Sequence, residues 1–472
     1  MALVSLLGWI HAHRKESFFI LINLLSWFFI FFFPIQHAKM FVVLVFALSG
    51  WALGVLPQPI VSLSIIVLIP LLKLGTFEEA LSGYSQSFIW LLVSTFILAA
   101  AVEGTGLGKR IALYLLMKAK GKTNHTILYM LFSIIILGFL IPTAAGRSAM
   151  IMPVCVGVFK VISSKELLPS FSKSVMLGVA FTSSFMSWAI ITGSSSSIYA
   201  VSALETMIGY KWTYLYWLLC HFPLLLLLIF LFWFVLRRKF PLRMKEIPGG
   251  YDFIQTEFQA LGKISQAEKN ILMIGIFTVL MWISEPFHGL SVSYIALVAA
   301  IFSCFPGFGI QSWKDSSKHI AWDVIILFGA GFALADALQR NETATWLALQ
   351  LTQVIPHLGP FMAGVFLMVM VLFLRLGFAN MLAITASLLP ITINLAEMWG
   401  INPVWLSQIV IIACSFGYFL PVQSPSNLIT YSYGYYNEKE LAEMGFYVSF
   451  ITMLVILLGA FFYWPYIGLS PT

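Results

Sequence analysis

Residues 125–160 read HTILYMLFSIIILGFLIPTAAGRSAMIMPVCVGVFK. About 20 apolar residues of helix cross a bilayer, so this run is too long for one crossing. It breaks in its middle, at Pro142-Thr143-Ala144-Ala145-Gly146. The flanking charges decide what the break means. Lys109, Arg110, Lys118, Lys120 and Lys122 precede the run, and Arg237, Arg238, Lys239, Arg243 and Lys245 follow it, two crossings later. Basic loops face the cytoplasm. A single crossing would put the second cluster outside, whereas a hairpin that enters and returns puts both inside. The run is therefore read as a re-entrant hairpin.

The whole chain supports a membrane setting. Of 472 residues, 60% are hydrophobic, 16% aromatic and only 10% charged. Soluble domains carry about 25% charged residues. Mean hydropathy is +0.94. A nucleic-acid binder, a secreted disulfide scaffold and a cytosolic enzyme are poor fits, and the net charge of +7 is that of basic cytoplasmic loops. Cys155, Cys220, Cys304 and Cys414 lie inside apolar stretches without paired spacing, as buried free thiols do. Residues 18–36 lack a small-residue cleavage site and are read as a retained first helix.

Further spans are expected near 39–55, 57–73, 88–107, 213–236, 271–286, 290–305, 322–338 and 446–466. Residues 358–399 form a second overlong block, broken at Gly377-Phe378-Ala379-Asn380. Residues 173–205 break at Gly193-Ser194-Ser195-Ser196-Ser197, and residues 404–434 at Pro421-Val422-Gln423-Ser424-Pro425-Ser426-Asn427. The expected fold is an all-α polytopic membrane protein of about eleven transmembrane helices with two hairpins, N-terminus cytoplasmic and C-terminus outside. Its parts are an N-terminal helix (1–38), a first repeat (39–236) with an inward-opening hairpin at 125–160 and a broken helix at 173–205, a cytoplasmic linker (237–269), and a second repeat (270–472) with an outward-opening hairpin at 358–399 and a broken helix at 404–434.

Three matches carry the repeat. Phe96-Ile97-Leu98-Ala99 parallels Phe332-Ala333-Leu334-Ala335, and Ser148 to Pro153 parallels Thr385 to Pro390. Ser194 parallels Ser424. Equivalent elements separated by an odd number of crossings have opposite topology. Inverted repeats with discontinuous helices at matched positions are the architecture of secondary transporters.

The breaks define the candidate chemistry. Half-helix N-termini offer N–H groups and partial positive charge to carboxylate or sulfate oxygens. Hydroxyls of Thr143, Ser148, Ser194, Ser195, Ser196, Ser424 and Ser426 add donors, with Asn380, Pro425 and Asn427 completing the expected substrate shell. Serines in such a run also bond back to helix carbonyls. Arg147 lies one turn past the first tip, where its fork suits a carboxylate, although an intramembrane arginine also forms structural pairs. Arg375 poses the same question at the second tip. For a coupling cation the positions are Thr143, Ala144, Gly193, Asn380 and Gln423, the ion being sodium or a proton. Glu103 and Asp336 are the carboxylates that could carry protons, or simply satisfied helix-end acids. No P-loop, zinc spacing or nucleophile elbow is present, so neither a cofactor nor an enzyme is expected. Asn124-His125-Thr126 and Asn341-Glu342-Thr343 match the glycosylation sequon.

The run Phe419-Leu420-Pro421-Val422-Gln423-Ser424-Pro425-Ser426-Asn427-Leu428, with Tyr433-Gly434-Tyr435 after it, resembles the C-terminal signature of the divalent-anion:sodium symporter family, in which Thr-Pro-Pro-Asn is usual. Gly193 to Ser197 is the first-repeat counterpart, with serines replacing those residues. Ile326-Leu327-Phe328-Gly329-Ala330-Gly331 is similar to the family's glycine-rich helix. The resemblance covers roughly residues 40–466. It implies homodimers, an elevator-type transport domain, and substrates such as succinate, malate, citrate, 2-oxoglutarate or sulfate. The family's Ser-Asn-Thr tips are replaced here by Thr143-Ala144-Ala145 and Asn380-Met381-Leu382. Gly146-Arg147 and Phe378-Ala379 are similar to the citrate/succinate antiporter and plastid dicarboxylate translocator branch. Transport by exchange or by cation coupling is expected, with a related inorganic-ion or sodium/proton carrier as the alternative and, behind it, a non-transporting sensor or intramembrane enzyme.

Overall fold

The computed structural model describes residues 14–162, 167–242, 244–354, 358–378 and 380–472. Arg243 of the basic loop, Ala379 of the second tip and the first 13 residues of the expected N-terminal helix lie outside the described residues.

Helices carry the described chain, and nine of them are long and apolar enough to cross a membrane among the described residues. Most expected spans are found within a few residues, as with Ser87–Thr105, Tyr214–Lys239 and Trp322–Arg340. The first block differs. It is an α-helix over Arg14–Ser26 followed by a 3-10 turn over Trp27–Phe31, and Pro34, which cannot continue a helix, stands at the N-cap position of the next one, Ile35–Leu53.

Element order runs in parallel through the two halves of the chain. Ser87–Thr105 and Trp322–Arg340 each have 19 residues and are followed by 12-residue helices, Leu107–Lys118 and Thr343–Val354. Next come hairpin legs: Thr123–Leu140 and Ala144–Val161 in the first repeat, Pro360–Leu374 and Met381–Met398 in the second. Both returning legs have 18 residues and an internal proline, Pro153 or Pro390. Each broken helix then contains a three-residue 3-10 turn, Ile191–Gly193 or Pro421–Gln423, before it resumes at Ser195–Ile208 or Pro425–Ser432.

The breaks fall earlier than expected. Ser195 to Ser197 and Pro425 to Asn427 form first turns of resumed helices, with Ser194 and Ser424 as extended N-cap residues. Ser194 caps its helix by accepting from Ser197 N–H, and in the second break Pro425 at the first helical position has no N–H to leave unpaired.

Packing divides the chain into two compact units that cut across the sequence repeat. One comprises 1–89, 322–414 and 471–472; the other comprises 90–321 and 415–470. In the first unit, the glycine-rich helix lies against Gly83 and Tyr84. A Cβ on Gly83 would collide with the carbonyl oxygen of Gly329, and Tyr84 donates to the carbonyl of Ile326 at 3.0 Å. Apolar surface is no driving force between helices in lipid, so close backbone approach and such hydrogen bonds supply the association.

In the second unit, Leu167–Ala189 packs on Thr123–Leu140, Tyr214–Lys239 and Pro425–Ser432. The polar linker is not slack. It forms the helix Gly250–Ala260, and its approach pairs with the foot of the hairpin: Thr123 N–H donates to Lys245 O at 2.9 Å and Ile247 N–H to Gly121 O at 2.8 Å. Lys109 and Glu257 add an ion pair of 2.9 Å.

Candidate functional site

In the second unit the first tip, the first broken helix and the resumed part of the second come together. Ala144–Val161 packs on Pro425–Ser432, and so does Leu167–Ala189. Thr143 is the N-cap of the returning leg, its Oγ1 accepting from Gly146 N–H at 3.1 Å. Ala144 is the first residue of that helix.

Arg147 is fully buried. Its Nη1 donates to the carbonyls of Ile141 at 2.9 Å and Gly193 at 3.2 Å, and its Nη2 donates to Ser183 O at 2.7 Å and Ser187 Oγ at 3.3 Å. Four neutral oxygens from tip, helix and turn thus surround one guanidinium. No carboxylate is among its partners within the described residues, so the charge is solvated by dipoles and not neutralised by a counterion. A buried cation without a counterion is costly, and here a potential anion binder is held in place by backbone.

The serine run divides its labour. Ser194 Oγ donates to Ser187 O at 2.8 Å and accepts from Ser197 N–H at 3.2 Å, and Ser197 Oγ donates to the same Ser187 carbonyl at 2.7 Å. Those two hydroxyls seal the broken backbone, which is the structural role expected of serines in a helix. Ser195 is half-buried, with no hydrogen-bond partner among the described residues, and Ser196 is buried. Gly193 is required by close approach, since a Cβ there would strike the carbonyl oxygen of Met186.

Three serines absent from the expected set complete the cluster. Ser184 Oγ lies 3.2 Å from Ser424 Oγ and 3.1 Å from Ser426 Oγ, and Ser424 and Ser426 are 2.8 Å apart. Ser426 also donates to Ala180 O at 3.0 Å. Ser183 accepts from Ser148 at 3.0 Å, and Ser187 serves Arg147. Their sequence signal was the spacing Thr182-Ser183-Ser184-x-x-Ser187 on an apolar helix, four hydroxyls just ahead of the break.

In the second break, Gln423 Oε1 accepts from Phe419 N–H at 2.9 Å and Leu420 N–H at 3.0 Å. Pro425 opens the resumed helix, and Asn427 Nδ2 donates to Gly417 O at 2.7 Å. Asn427 Oδ1 is buried without a partner among the described residues, an oxygen suited to a hard cation. No group of His, Cys, Asp or Glu that could hold a metal ion occurs among the described residues. Hydroxyl, amide and carbonyl oxygens are the ligands on offer.

Asn380 belongs to the first unit and is the N-cap of its tip, equivalent to Thr143. Its Oδ1 accepts from Leu382 N–H at 2.8 Å and Ala383 N–H at 3.2 Å, while Nδ2 donates to Gln58 at 2.7 Å. Arg375 turns back to the carbonyl of Phe378 in the same tip. Asp336 is paired with Arg340 at 2.9 Å. Glu103 stands beside the first tip, its Oε1 within 3.0 Å of where a Cβ on Gly146 would lie.

Membrane-spanning helices interrupted at matched places, with dipole-solvated charge and hydroxyls at the interruptions, define a polytopic membrane transporter. The chain belongs to the divalent-anion:sodium symporter family: the family described as the sodium:sulfate symporter transmembrane region matches residues 17–470. A membrane protein of Cupriavidus necator is 28% identical over 410 residues, covering 84% of this chain and 79% of that one. A sodium-dependent dicarboxylate transporter of Staphylococcus saprophyticus is 26% identical over 441 residues, covering 88% and 84%. Its namesake in Staphylococcus aureus is 27% identical over 448 residues, with the same coverage. Two solved transporters share the fold. The Neisseria gonorrhoeae MtrF antimetabolite efflux pump matches with a TM-score of 0.53 at 12% identity over 81% of this chain and 82% of its own. The Alcanivorax borkumensis YdaH transporter matches with a TM-score of 0.51 at 14% identity over 84% and 89%.

Proposed function

We propose that the protein carries small organic di- or tricarboxylates of the succinate, malate or citrate kind across the membrane as a secondary transporter. The observation that carries this reading is Arg147, a buried cation without a counterion among the described residues, where the first tip meets the turn of the first broken helix. The relatives named as sodium-dependent dicarboxylate transporters support it. In this reading Thr143, Arg147, Ser148, Ser194 to Ser196 and Ser424 to Asn427 enclose the anion. The protein works as a homodimer by an elevator movement, with the basic loops at 109–122 and 237–245 cytoplasmic, the N-terminus inside and the C-terminus outside.

Coupling follows from the same arginine. Three carbonyls and a hydroxyl are oxygens of the kind that hard cations take as ligands, and Arg147 engages them with a tethered charge. Sodium is therefore needed at fewer positions, and exchange of one anion for another is the favoured mode. Any remaining sodium is held by oxygens such as Asn427 Oδ1 and the carbonyl of Gly193.

Uptake of labelled succinate into proteoliposomes tests this, with and without an inward sodium gradient and with unlabelled succinate inside. Uptake that needs only internal succinate establishes an exchanger, and sodium-driven accumulation establishes a symporter. Absence of flux in both arms, repeated with malate and citrate, sinks the dicarboxylate assignment.

A further inference from the structure

The helix Tyr214–Lys239 ends in Arg237, Arg238 and Lys239. Lys239 is paired with Glu443 at 2.6 Å, and nearby Lys173 with Glu440 at 2.5 Å. Arg237 and Arg238 are exposed, and neither has a carboxylate partner among the described residues. Both guanidiniums are nonetheless placed, stacked on rings one turn back: Arg237 over Trp233 at 4.7 Å and Arg238 over Phe234 at 5.4 Å.

What lies below them matters as much. Leu227, Phe230, Phe234 and Arg238 recur at helical spacing and share one face, and the three apolar members are about half exposed, at 48%, 49% and 51%. This face meets hydrocarbon. It runs without a polar interruption into a guanidinium at the helix end. Trp233 faces the neighbouring helix, where its Nε1 donates to Asn124 O at 3.2 Å. Lys122 and Lys120, both exposed, lie just before Asn124 in the chain. An apolar stripe topped by two guanidiniums that have no carboxylate partner among the described residues, with Glu443 nearby already paired to Lys239, is complementary to one kind of molecule.

We propose that this corner of the second unit is a binding site for an anionic phospholipid. Arg237 and Arg238 take the headgroup phosphate, assisted by Lys122, and an acyl chain lies along Leu227, Phe230 and Phe234. Ring stacking holds the guanidiniums extended at the interface, so little side-chain freedom is lost when the phosphate arrives. The proposal is independent of what the protein transports.

Native mass spectrometry of the purified full-length protein tests it, with phosphatidylglycerol and phosphatidylcholine of identical acyl chains supplied in equal amounts. The wild type is expected to retain phosphatidylglycerol several-fold over phosphatidylcholine. The double variant Arg237→Gln/Arg238→Gln should lose that preference, and Arg237→Lys/Arg238→Lys should keep most of it. Raising the salt should abolish the wild-type preference, which tests the claim even where the glutamine variant does not fold. An undiminished preference in the glutamine variant or at high salt overturns the proposal. Glycerol phosphate competing as well as the intact lipid would overturn the acyl stripe.

Discussion

Arg147 Nη1 donates to the carbonyl oxygen of Gly193 at 3.2 Å, so the first hairpin tip and the turn of the first broken helix are joined through one fixed positive charge. Replacing Arg147 with Ser leaves the oxygens of Ile141, Gly193, Ser183 and Ser187 facing a void. Each orphaned acceptor costs on the order of 1–3 kcal/mol, and the thermal midpoint should fall clearly. Sodium ought then to stimulate succinate uptake more than in the wild type, because a free cation can occupy the vacated cage. An unchanged sodium response in a folded Arg147→Ser protein removes the tethered-charge mechanism.

Ser184 yields a second expectation. Its hydroxyl is the link from the first broken helix to Ser424 and Ser426 of the second. Interhelical hydrogen bonds inside membranes average about 0.6 kcal/mol, so Ser184→Ala should lower stability only slightly. Its effect on transport should be larger, a several-fold rise in the KM for succinate, since the hydroxyls proposed to line the site lose their alignment. Radiotracer kinetics beside a thermal melt separate the two.

Gly193 carries a steric prediction. A methyl group at this position meets the backbone oxygen of Met186, which cannot swing aside as a side chain could. Gly193→Ala should displace the 3-10 turn and with it an acceptor of Arg147, costing several kcal/mol by overpacking and a broken polar network. Wild-type yield and melting behaviour for this variant would contradict the geometry.

The helix interruptions were legible in the sequence because a bilayer imposes a length rule, and breaks such as Pro142 to Gly146 stand out against it. The division of labour within the serine run was not legible. Ser194 and Ser197 close the backbone while Ser195 does not, and this depends on where the helix resumes, a boundary set by the 3-10 turn at Ile191–Gly193. Nor could the sequence find Ser184, whose partners lie 240 and 242 residues away. Arg147 was conspicuous, but its commitment to four oxygens required the fold.

The sequon at Asn341-Glu342-Thr343 should remain unmodified in the folded protein. Asn341 is buried, and its Nδ2 donates to Leu74 O at 2.9 Å and Ala337 O at 2.8 Å while its Oδ1 accepts from Gln36 at 2.7 Å. A glycan there would expel all three partners. Expression in glycosylating membranes followed by glycosidase digestion should show no shift that Asn341→Gln removes.

Glu79 gives the pH dependence. It closes a capping box with Thr76, whose backbone N–H donates to its carboxylate at 2.7 Å, and it pairs with Arg340. The Thr76 N–H, followed by the Arg340 guanidinium, holds the Glu79 pKa below its ordinary value of 4.5. A carboxylate with a depressed native pKa binds fewer protons folded than unfolded, so its contribution is full above the ordinary value and is lost as pH falls through the native one. The Glu79→Gln variant should melt below the wild type at neutral pH, by a small amount because the group is exposed. The two melting curves should converge as the pH drops beneath 4.5. A gap that stays constant down to strongly acidic pH would show that the carboxylate's charge plays no part in holding this turn.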